Sequence, residues 1–331
     1  MLAKFSRSVH LCSIRRLDRF RINARRKASQ RKCLDISGIY PPITTPFDGS
    51  SGSVSYEKLE HNLKRWSSLP FRGLVVHGST GECVLLSTDE RLEVVRRVKS
   101  FLPHDKLLIV GAGQESTQAT VEFATQSAKI GASAVLVVTP CFYKGRMTAD
   151  ALEKHFVRVA DESPVPVILY SVPGNTGVDL PADVAIRLSS HPNVIGMKDS
   201  GGEIAKIGYV VHKTRQSGFQ VLAGSAGFLL PSLQVGAVGG VCALANTLGA
   251  EVCRLQELYE RGDAKEARSL QHRLIAPNAG VTKRFGIAGV KASMEWFGLY
   301  GGPVRSPLQP LSEGELSELK KIFTEEGFLN P

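Results

Sequence analysis

Lys198 occupies the most distinctive chemical setting in this sequence. It follows the apolar run 194–197 and precedes Asp199. A lysine whose side chain starts in a packed interior is costly to keep charged, because burial disfavours the ammonium form. The neutral amine is the form that attacks a ketone, and the resulting iminium is an electron sink. An ion pair of Lys198 with Asp199 or another strand-end acid is the structural alternative, and the sequence leaves both interpretations open.

Tyr170 and the turn at 78–82 hold the next candidate groups. Tyr170 ends another apolar run, and its phenol could shuttle a proton if Ser79 hydrogen-bonds it; simple packing at a rim is the alternative. Ser79 and Thr80 lie between two glycines, where exposed backbone N–H groups could hold a carboxylate, although an ordinary capped turn would look the same. Glu82 ends this turn, and we expect it to hold the loop rather than to act as a catalyst.

A second anion cradle is predicted at 224–227, Gly-Ser-Ala-Gly, just before a helical pattern. Other chemistries lack their motifs. The eight histidines show no HExxH, HxH or paired Cys/His spacing, and neither a Gly-x-Ser-x-Gly elbow nor a Walker sequence is present. We therefore expect neither a metal nor a cofactor.

The net charge of +10 comes from one end of the chain. Of 41 basic and 31 acidic residues, eleven basic and one acidic fall within 1–32, which leaves 30 of each in the remainder. An Arg-rich, Ser-containing leader almost free of acids predicts a mitochondrial presequence, and therefore a protein of the mitochondrial matrix. A basic arm for nucleic acid is the alternative, but the neutral remainder gives it no support.

Composition excludes several classes of protein. The 331 residues are 43% apolar and 22% charged, which are ordinary globular values. No stretch reaches the ~18 uninterrupted apolar residues that a membrane span needs. The six cysteines form no CxxC pair, which fits a reducing compartment better than a disulfide framework. We expect a small-molecule substrate, with neither a membrane nor a nucleic acid as partner.

Short apolar runs alternate with amphipathic stretches from residue 36 onward, and solid apolar runs predict strands that are buried on both faces. The predicted strands are 36–40, 73–77, 107–110, 134–138, 165–170, 194–197, 220–222 and 238–242. The predicted helices between them are 56–67, 88–101, 116–129, 149–161, 181–189, 204–214 and 228–235. Eight strands with intervening helices are the count of an α/β (β/α)₈ TIM barrel.

Helical patterns without strands then follow at 251–261, 264–274, 281–296 and 313–325. The predicted organisation is a presequence at 1–32, the barrel at 33–262 and a C-terminal helical extension of the barrel at 263–331. A doubly wound open sheet is the competing fold, but its Gly-rich first turn has only a weak match at 111–116. In a barrel, chemistry sits at the carboxyl ends of the strands, which is where Ser79, Tyr170, Lys198 and Ser200 are placed.

Three separated motifs resemble one known family. The stretch Tyr-Ser-Val-Pro-Gly-Asn-Thr-Gly at 170–177, followed by Val-Ile-Gly-Met-Lys-Asp-Ser at 194–200, resembles the signature of the dihydrodipicolinate synthase/N-acetylneuraminate lyase superfamily. The turn at 78–82 matches its second motif, and 44–47 matches the end of its first strand. The resemblance covers about residues 36–325 and implies a Schiff-base (class I) aldolase on a (β/α)₈ barrel with extra C-terminal helices, assembled as a homotetramer.

The resemblance also implies roles for single residues. Lys198 would form the Schiff base and Tyr170 would transfer protons with Ser79. The residues implied to line the substrate site are Ser79, Thr80, Ser200 and Gly224, with Asn175 and Tyr143 as further contacts.

Within the superfamily, the stretches 171–177, 197–202, 221–228 and 239–246 resemble the mitochondrial 4-hydroxy-2-oxoglutarate aldolases of animals. The basic leader agrees independently. This branch implies cleavage of 4-hydroxy-2-oxoglutarate to pyruvate and glyoxylate in hydroxyproline catabolism. Another pyruvate aldolase, such as an N-acetylneuraminate lyase or a keto-deoxy-sugar aldolase, is the alternative. A nucleic-acid-binding protein with a basic arm and an inactive barrel is the alternative from another class.

Three positions depart from the family pattern. Synthases that act on dihydrodipicolinate precursors usually carry Arg where Asn175 stands, which argues against that substrate. Many members carry a tyrosine, contributed across a dimer interface, where this chain has Phe142, so Tyr143 either takes over that role or the proton relay is shorter. The hydroxyoxoglutarate branch is expected to have Asn where Thr80 stands, so substrate contacts at that position differ.

Overall fold

Eight parallel strands alternate with helices in a computed structural model that describes residues 34–330. The predicted presequence, 1–32, lies outside the described residues. The strands are β1 (Gly38–Tyr40), β2 (Gly73–Val76), β3 (Leu107–Gly111), β4 (Ala134–Val138), β5 (Val167–Ser171), β6 (Val194–Asp199), β7 (Gln220–Ala223) and β8 (Gly239–Val241). The barrel helices are α1 (Tyr56–Ser67), α2 (Thr88–Phe101), α3 (Thr117–Ile130), α4 (Ala149–Glu162), α5 (Ala182–Leu188), α6 (Ile204–Thr214), α7 (Leu229–Gln234) and α8 (Gly249–Glu260).

The sheet closes into a barrel. Its strand order is β1-β8-β7-β6-β5-β4-β3-β2, with every pair parallel. Backbone hydrogen bonds join the two ends: the N–H of Arg72 donates to Ile39 O at 3.0 Å, and that of Ile43 to Val75 O at 2.9 Å. The predicted (β/α)₈ barrel is therefore confirmed, and the open sheet is excluded.

Two apolar layers explain why the strands read as solid apolar runs. Successive side chains of a strand point to opposite faces. Leu108 and Val110 of β3 belong to the large cluster packed with the helices, whereas Ile109 between them is equally buried but outside that cluster, inside the barrel. Both faces are dry, so every position of the strand is apolar.

Local signals place the helix ends. Ser87 and Glu90 form a capping box at the start of α2, and Ser312 and Glu315 form another at the start of the last helix. Gly131 ends α3 with a φ of 113°, in the left-handed region that glycine adopts readily. These ends agree with the predicted helices to within one residue.

Three helices follow the barrel: α9 (Ala264–Ala279), α10 (Gly286–Trp296) and α11 (Glu313–Glu325). The single helix predicted over 281–296 is wrong at its start, because a widened π-type turn occupies Gly280–Arg284 before α10 begins. Pro277 inside α9 lacks a backbone N–H, which weakens regular helical bonding just before that turn. None of the helices between residues 34 and 330 combines the length and the apolarity that a membrane crossing requires.

Candidate active site

Lys198 and Tyr170 lie side by side at the carboxyl ends of β6 and β5. They are register partners in the parallel pair, so both side chains point to the barrel interior. Only 4% of Lys198 and 5% of Tyr170 is exposed. The Lys198 Nζ lies 4.1 Å from the centroid of the Tyr170 ring. This contact places the phenol ring next to the atom that would form the Schiff base.

No acid neutralises Lys198 among the described residues. Its neighbour Asp199 instead places Oδ2 3.1 Å from the Nζ of Lys206, and its Oδ1 accepts the N–H of Gly201 at 2.9 Å. The structural alternative, an ion pair between Lys198 and Asp199, is therefore wrong. Within residues 34–330 the Lys198 amine is therefore engaged by no carboxylate, which leaves it available for attack on a carbonyl carbon.

The turn at 78–82 presents free donors. Residues Ser79–Gly81 form one 3₁₀ turn, in which the N–H of Gly81 donates to Gly78 O and that of Glu82 to Ser79 O. The N–H groups and hydroxyls of Ser79 and Thr80 make no hydrogen bond to any residue between 34 and 330. Unsatisfied donors at the mouth of a barrel suit a carboxylate.

A cavity of about 530 Å³ opens between the loops that follow β2, β3, β4 and β5. Three predicted site residues line it: Ser79, Tyr170 and Asn175. Thr80, Lys198, Ser200, Gly224 and Tyr143 are not part of its wall. Tyr170 is the wall residue next to the Lys198 amine, whose Nζ lies 4.1 Å from the centre of its ring.

Ser200 and Gly224 meet at the ends of β6 and β7. The Gly224 N–H donates to Asp199 O at 2.7 Å, and a β-carbon on Gly224 would collide with Ser200 Oγ. Glycine is therefore required where the two chain segments touch. The structure brings Ser200 and Gly224 into contact at the ends of the strands on either side of this junction, and their role in binding substrate stays a prediction.

The predicted hydrogen bond between Ser79 and Tyr170 is not formed. The Tyr170 hydroxyl has no hydrogen-bond partner within residues 34–330, although both side chains line the same cavity. The alternative donor, Tyr143, is 70% exposed, and Phe142 beside it is 74% exposed. Their rings contact each other edge to face, with centroids 5.0 Å apart. The role of Tyr143 in the proton relay stays a prediction.

Sequence reasoning missed Glu115, which fixes the loop after β4. Its carboxylate accepts the N–H groups of Cys141 at 2.9 Å and Phe142 at 2.8 Å. Burial would raise the pKa of Glu115, but these N–H groups outweigh it and hold the pKa below its usual value. The sequence gives no indication of this contact, because Glu115 lies in the loop after β3 and its partners lie in the loop after β4.

A buried ion pair behind the turn was also missed. The Glu82 Oε1 lies 2.6 Å from the Nζ of Lys291 in α10, and neither side chain is more than 1% exposed. Burial lowers the pKa of Lys291, although the Glu82 carboxylate opposes this. The expectation that Glu82 holds the loop is confirmed.

His77 precedes the turn in a strained conformation, with φ 58°. Its Nε2 lies 2.8 Å from Arg91 O, and burial, reinforced by the Arg91 charge, lowers its pKa to about 3. His77 is therefore neutral at physiological pH. Within residues 34–330, no group of three or more His, Cys, Asp or Glu side chains is arranged to hold a metal ion.

Comparison with known proteins places this site in a family. The dihydrodipicolinate synthetase family matches residues 35–326. A 4-hydroxy-tetrahydrodipicolinate synthase of Haloarcula marismortui is 33% identical over 88% of this chain and 94% of its own length. An L-threo-3-deoxy-hexylosonate aldolase of Hypocrea jecorina is 31% identical over 87% and 95%.

Solved structures of dihydrodipicolinate synthases have the same fold as this chain. A dihydrodipicolinate synthase of Bacillus anthracis superposes with a TM-score of 0.84 at 29% identity, over 88% of this chain and 98% of its own. The synthase of Acinetobacter baumannii, solved with pyruvate, superposes with a TM-score of 0.83 at 28% identity, over 89% and 100%. With its barrel and its C-terminal helices, the chain belongs to the dihydrodipicolinate synthetase family of pyruvate-dependent aldolases and lyases.

Proposed function

We propose that this protein is a class I aldolase that cleaves 4-hydroxy-2-oxoglutarate to pyruvate and glyoxylate. The observation that carries the proposal is the buried Lys198 amine, without an acid partner in the described chain and 4.1 Å from the centre of the Tyr170 ring. Attack on a ketone needs a neutral amine with a proton-transfer group beside it. Lys198 supplies the amine, and Tyr170 lies beside it as the proton-transfer group.

The proposed reaction passes through covalent intermediates that are held on Lys198. The Lys198 Nζ attacks the C2 carbonyl carbon of the substrate, and loss of water gives an iminium, with Tyr170 and Ser79 relaying protons. A base removes the C4 hydroxyl proton, and the C3–C4 bond breaks. Its electron pair moves to the iminium, which becomes an enamine, and glyoxylate leaves. Protonation of the enamine and hydrolysis release pyruvate and restore the Lys198 amine.

One difference from the synthases bears on the substrate, at Asn175. This side chain lines the cavity at the position where the synthases usually carry arginine, so the C5 carboxylate of 4-hydroxy-2-oxoglutarate would meet a neutral amide there and not a guanidinium. The curated relatives include synthases at 31% and 33% identity. At this level of sequence identity, relatives can share the barrel and the lysine and still differ in substrate, and Asn175 is one position where such a difference would arise.

A keto-deoxy-sugar aldolase is the second candidate, supported by the similarity to the Hypocrea jecorina enzyme. Both reactions form the same pyruvate enamine and differ in the aldehyde that is released. A product assay separates them. We expect purified protein to release glyoxylate from 4-hydroxy-2-oxoglutarate, whereas glyceraldehyde released from a 3-deoxy-hexulosonate at a higher kcat/KM would establish the second candidate.

We further propose a mitochondrial matrix location and a homotetramer. The location rests on the basic leader at 1–32. Deleting these residues should leave turnover nearly unchanged and move the protein to the cytosol, and a truncated protein that still enters the matrix would contradict the targeting role. The tetramer rests on the family resemblance and on exposed apolar side chains at Val84, Phe142 and Tyr143. Light scattering of the purified protein tests it.

A further inference from the structure

Glu82 controls the geometry of the turn that presents Ser79 and Thr80. It follows the turn in the left-handed region, with φ 54° and ψ 34°, a conformation that is unfavourable for residues other than glycine unless their surroundings hold it. Its backbone N–H donates to Ser79 O at 3.1 Å and closes the turn. The contacts that hold Glu82 therefore also determine where the free N–H groups of Ser79 and Thr80 point.

Both carboxylate oxygens of Glu82 are held by the C-terminal extension. Oε1 lies 2.6 Å from the Lys291 Nζ, and Oε2 accepts the backbone N–H of Arg305 at 2.8 Å. The barrel adds a separate contact to the same turn, in which the Thr45 hydroxyl donates to Gly81 O at 2.7 Å. The Glu82 side chain itself is anchored from α10 and the segment after it.

The two partners of Glu82 are themselves fixed. The Lys291 Nζ donates to Pro303 O at 2.7 Å and lies 4.3 Å from the centroid of the Phe47 ring. Arg305 forms two hydrogen bonds to the Glu90 carboxylate, at 2.8 and 2.7 Å. This paired geometry has little rotational freedom. It ties the extension to the start of α2, on the far side of the turn.

We propose that Lys291 and Arg305 are positioning residues for substrate binding, which orient the N–H groups of Ser79 and Thr80 through Glu82. Neither residue lines the cavity, and their side chains are engaged elsewhere, Lys291 with Glu82 and Pro303, and Arg305 with Glu90. Their effect is on the affinity for the carboxylate of the 2-oxo acid. This inference rests on the proposed function, in which that turn binds the carboxylate.

The test measures how much pyruvate is needed for half-maximal borohydride trapping on Lys198. In Lys291→Met and in Arg305→Lys we expect this concentration to rise about tenfold, the effect of misaligning one charge-assisted hydrogen bond. The trapped fraction at saturating pyruvate should stay near that of the wild type, because Lys198 and Tyr170 are unchanged. A residue with a purely structural role would lower the yield of folded protein without moving the half-saturation point.

Two further variants sharpen the test. Glu82→Gln combined with Lys291→Met removes both charges but keeps an acceptor for the Arg305 N–H, so it should recover part of the lost affinity. Leu188→Ala in α5, where the leucine is buried, should lower stability and leave the half-saturation point unchanged. If Lys291→Met fails to fold, the partly exposed Arg305 carries the test.

The outcomes separate the two proposals. Unchanged half-saturation in Arg305→Lys and in folded Lys291→Met overturns the positioning role and leaves the proposed function intact. An equal shift in Leu188→Ala overturns it too, since the effect would then follow stability alone. Wild-type protein that pyruvate and borohydride do not modify on Lys198 overturns both.

Discussion

Two buried lysines, Lys198 and Lys291, have nearly the same surroundings but differ in the roles that we propose for them. They are 4% and 1% exposed, and each amine lies over an aromatic ring, at 4.1 Å from the centroid of Tyr170 and 4.3 Å from that of Phe47. Lys291 is 2.6 Å from the Glu82 carboxylate, whereas no described acid pairs with Lys198. Burial alone therefore does not distinguish a nucleophile from a structural cation.

The presence of a counter-ion separates them. Burial lowers the pKa of Lys291, the Glu82 carboxylate opposes this shift, and the ion pair with Glu82 occupies the amine. Next to Lys198, the Asp199 carboxylate is taken up by Lys206 and by loop N–H groups. The nearest acid is thus directed away from the lysine that we propose as the nucleophile.

The largest expected effect is at Lys198. Lys198→Arg should lower kcat/KM by a factor on the order of 10⁴ or more, because a guanidinium stays charged and forms no imine under these conditions. Peptide mass spectrometry after treatment with pyruvate and borohydride should find the adduct on Lys198 of the wild type and none on Lys291. An adduct on Lys291 would contradict the proposed difference in role between the two lysines.

Tyr170 is expected to show the next largest effect. Tyr170→Phe keeps the ring over the Lys198 amine and removes only the hydroxyl, so it tests proton transfer separately from packing. Turnover should fall by a factor on the order of 10²–10⁴. Tyr143→Phe is the matched variant. A comparable loss of turnover in Tyr143→Phe would show that Tyr143 joins the proton relay in the assembled protein. Unchanged turnover in both variants would mean that another group transfers the proton.

Lys291→Met should affect stability more than chemistry. Removing one partner of a buried ion pair leaves the Glu82 charge uncompensated and should lower the free energy of unfolding by about 3–5 kcal/mol. The double variant with Glu82→Gln should recover most of this loss. Urea denaturation measures both. If the single variant were as stable as the wild type, Lys291 would not be the structural member of the pair.

The smallest effect concerns pH and the residue just before the turn. Burial lowers the pKa of His77 from 6.5 to about 3. Between these two pH values His77 is neutral in the folded protein and protonated in the unfolded chain. The unfolded state then holds more protons, and stability falls as the pH drops from 6.5 towards 3. From pH 6.5 to pH 5, this group lowers the free energy of unfolding by about 1.6 kcal/mol.

His77→Gln should therefore flatten the decline of the unfolding free energy with acid over that range, as measured by denaturation at a series of pH values. His155, whose pKa burial lowers to about 4, remains in the variant and accounts for part of the residual slope. An identical pH slope in wild type and variant would contradict the buried, neutral state of His77.

Much of the architecture could be predicted from the chain because local patterns carry it. The solid apolar runs marked all eight strands, and helices 56–67, 88–101, 204–214 and 313–325 match α1, α2, α6 and α11 at both ends. The strands predicted at β1 and β8 are longer than the observed ones, because strand pairing and not hydrophobicity decides where these three-residue strands end. The π-type turn at Gly280–Arg284 could not be predicted, because no periodic pattern of apolar residues marks it in the sequence.

The amino-acid sequence by itself determined the alternation of strands and helices and the position of Lys198 at the end of its strand, because these follow from side-chain period and burial along one segment. Tertiary structure alone decided which buried lysine stays without a counter-ion. Lys291 and Glu82 lie far apart in the chain, and Lys198 is adjacent to an acid that turns away from it. Electrostatic pairing depends on distance in space, and only the closed barrel with its C-terminal helices sets those distances.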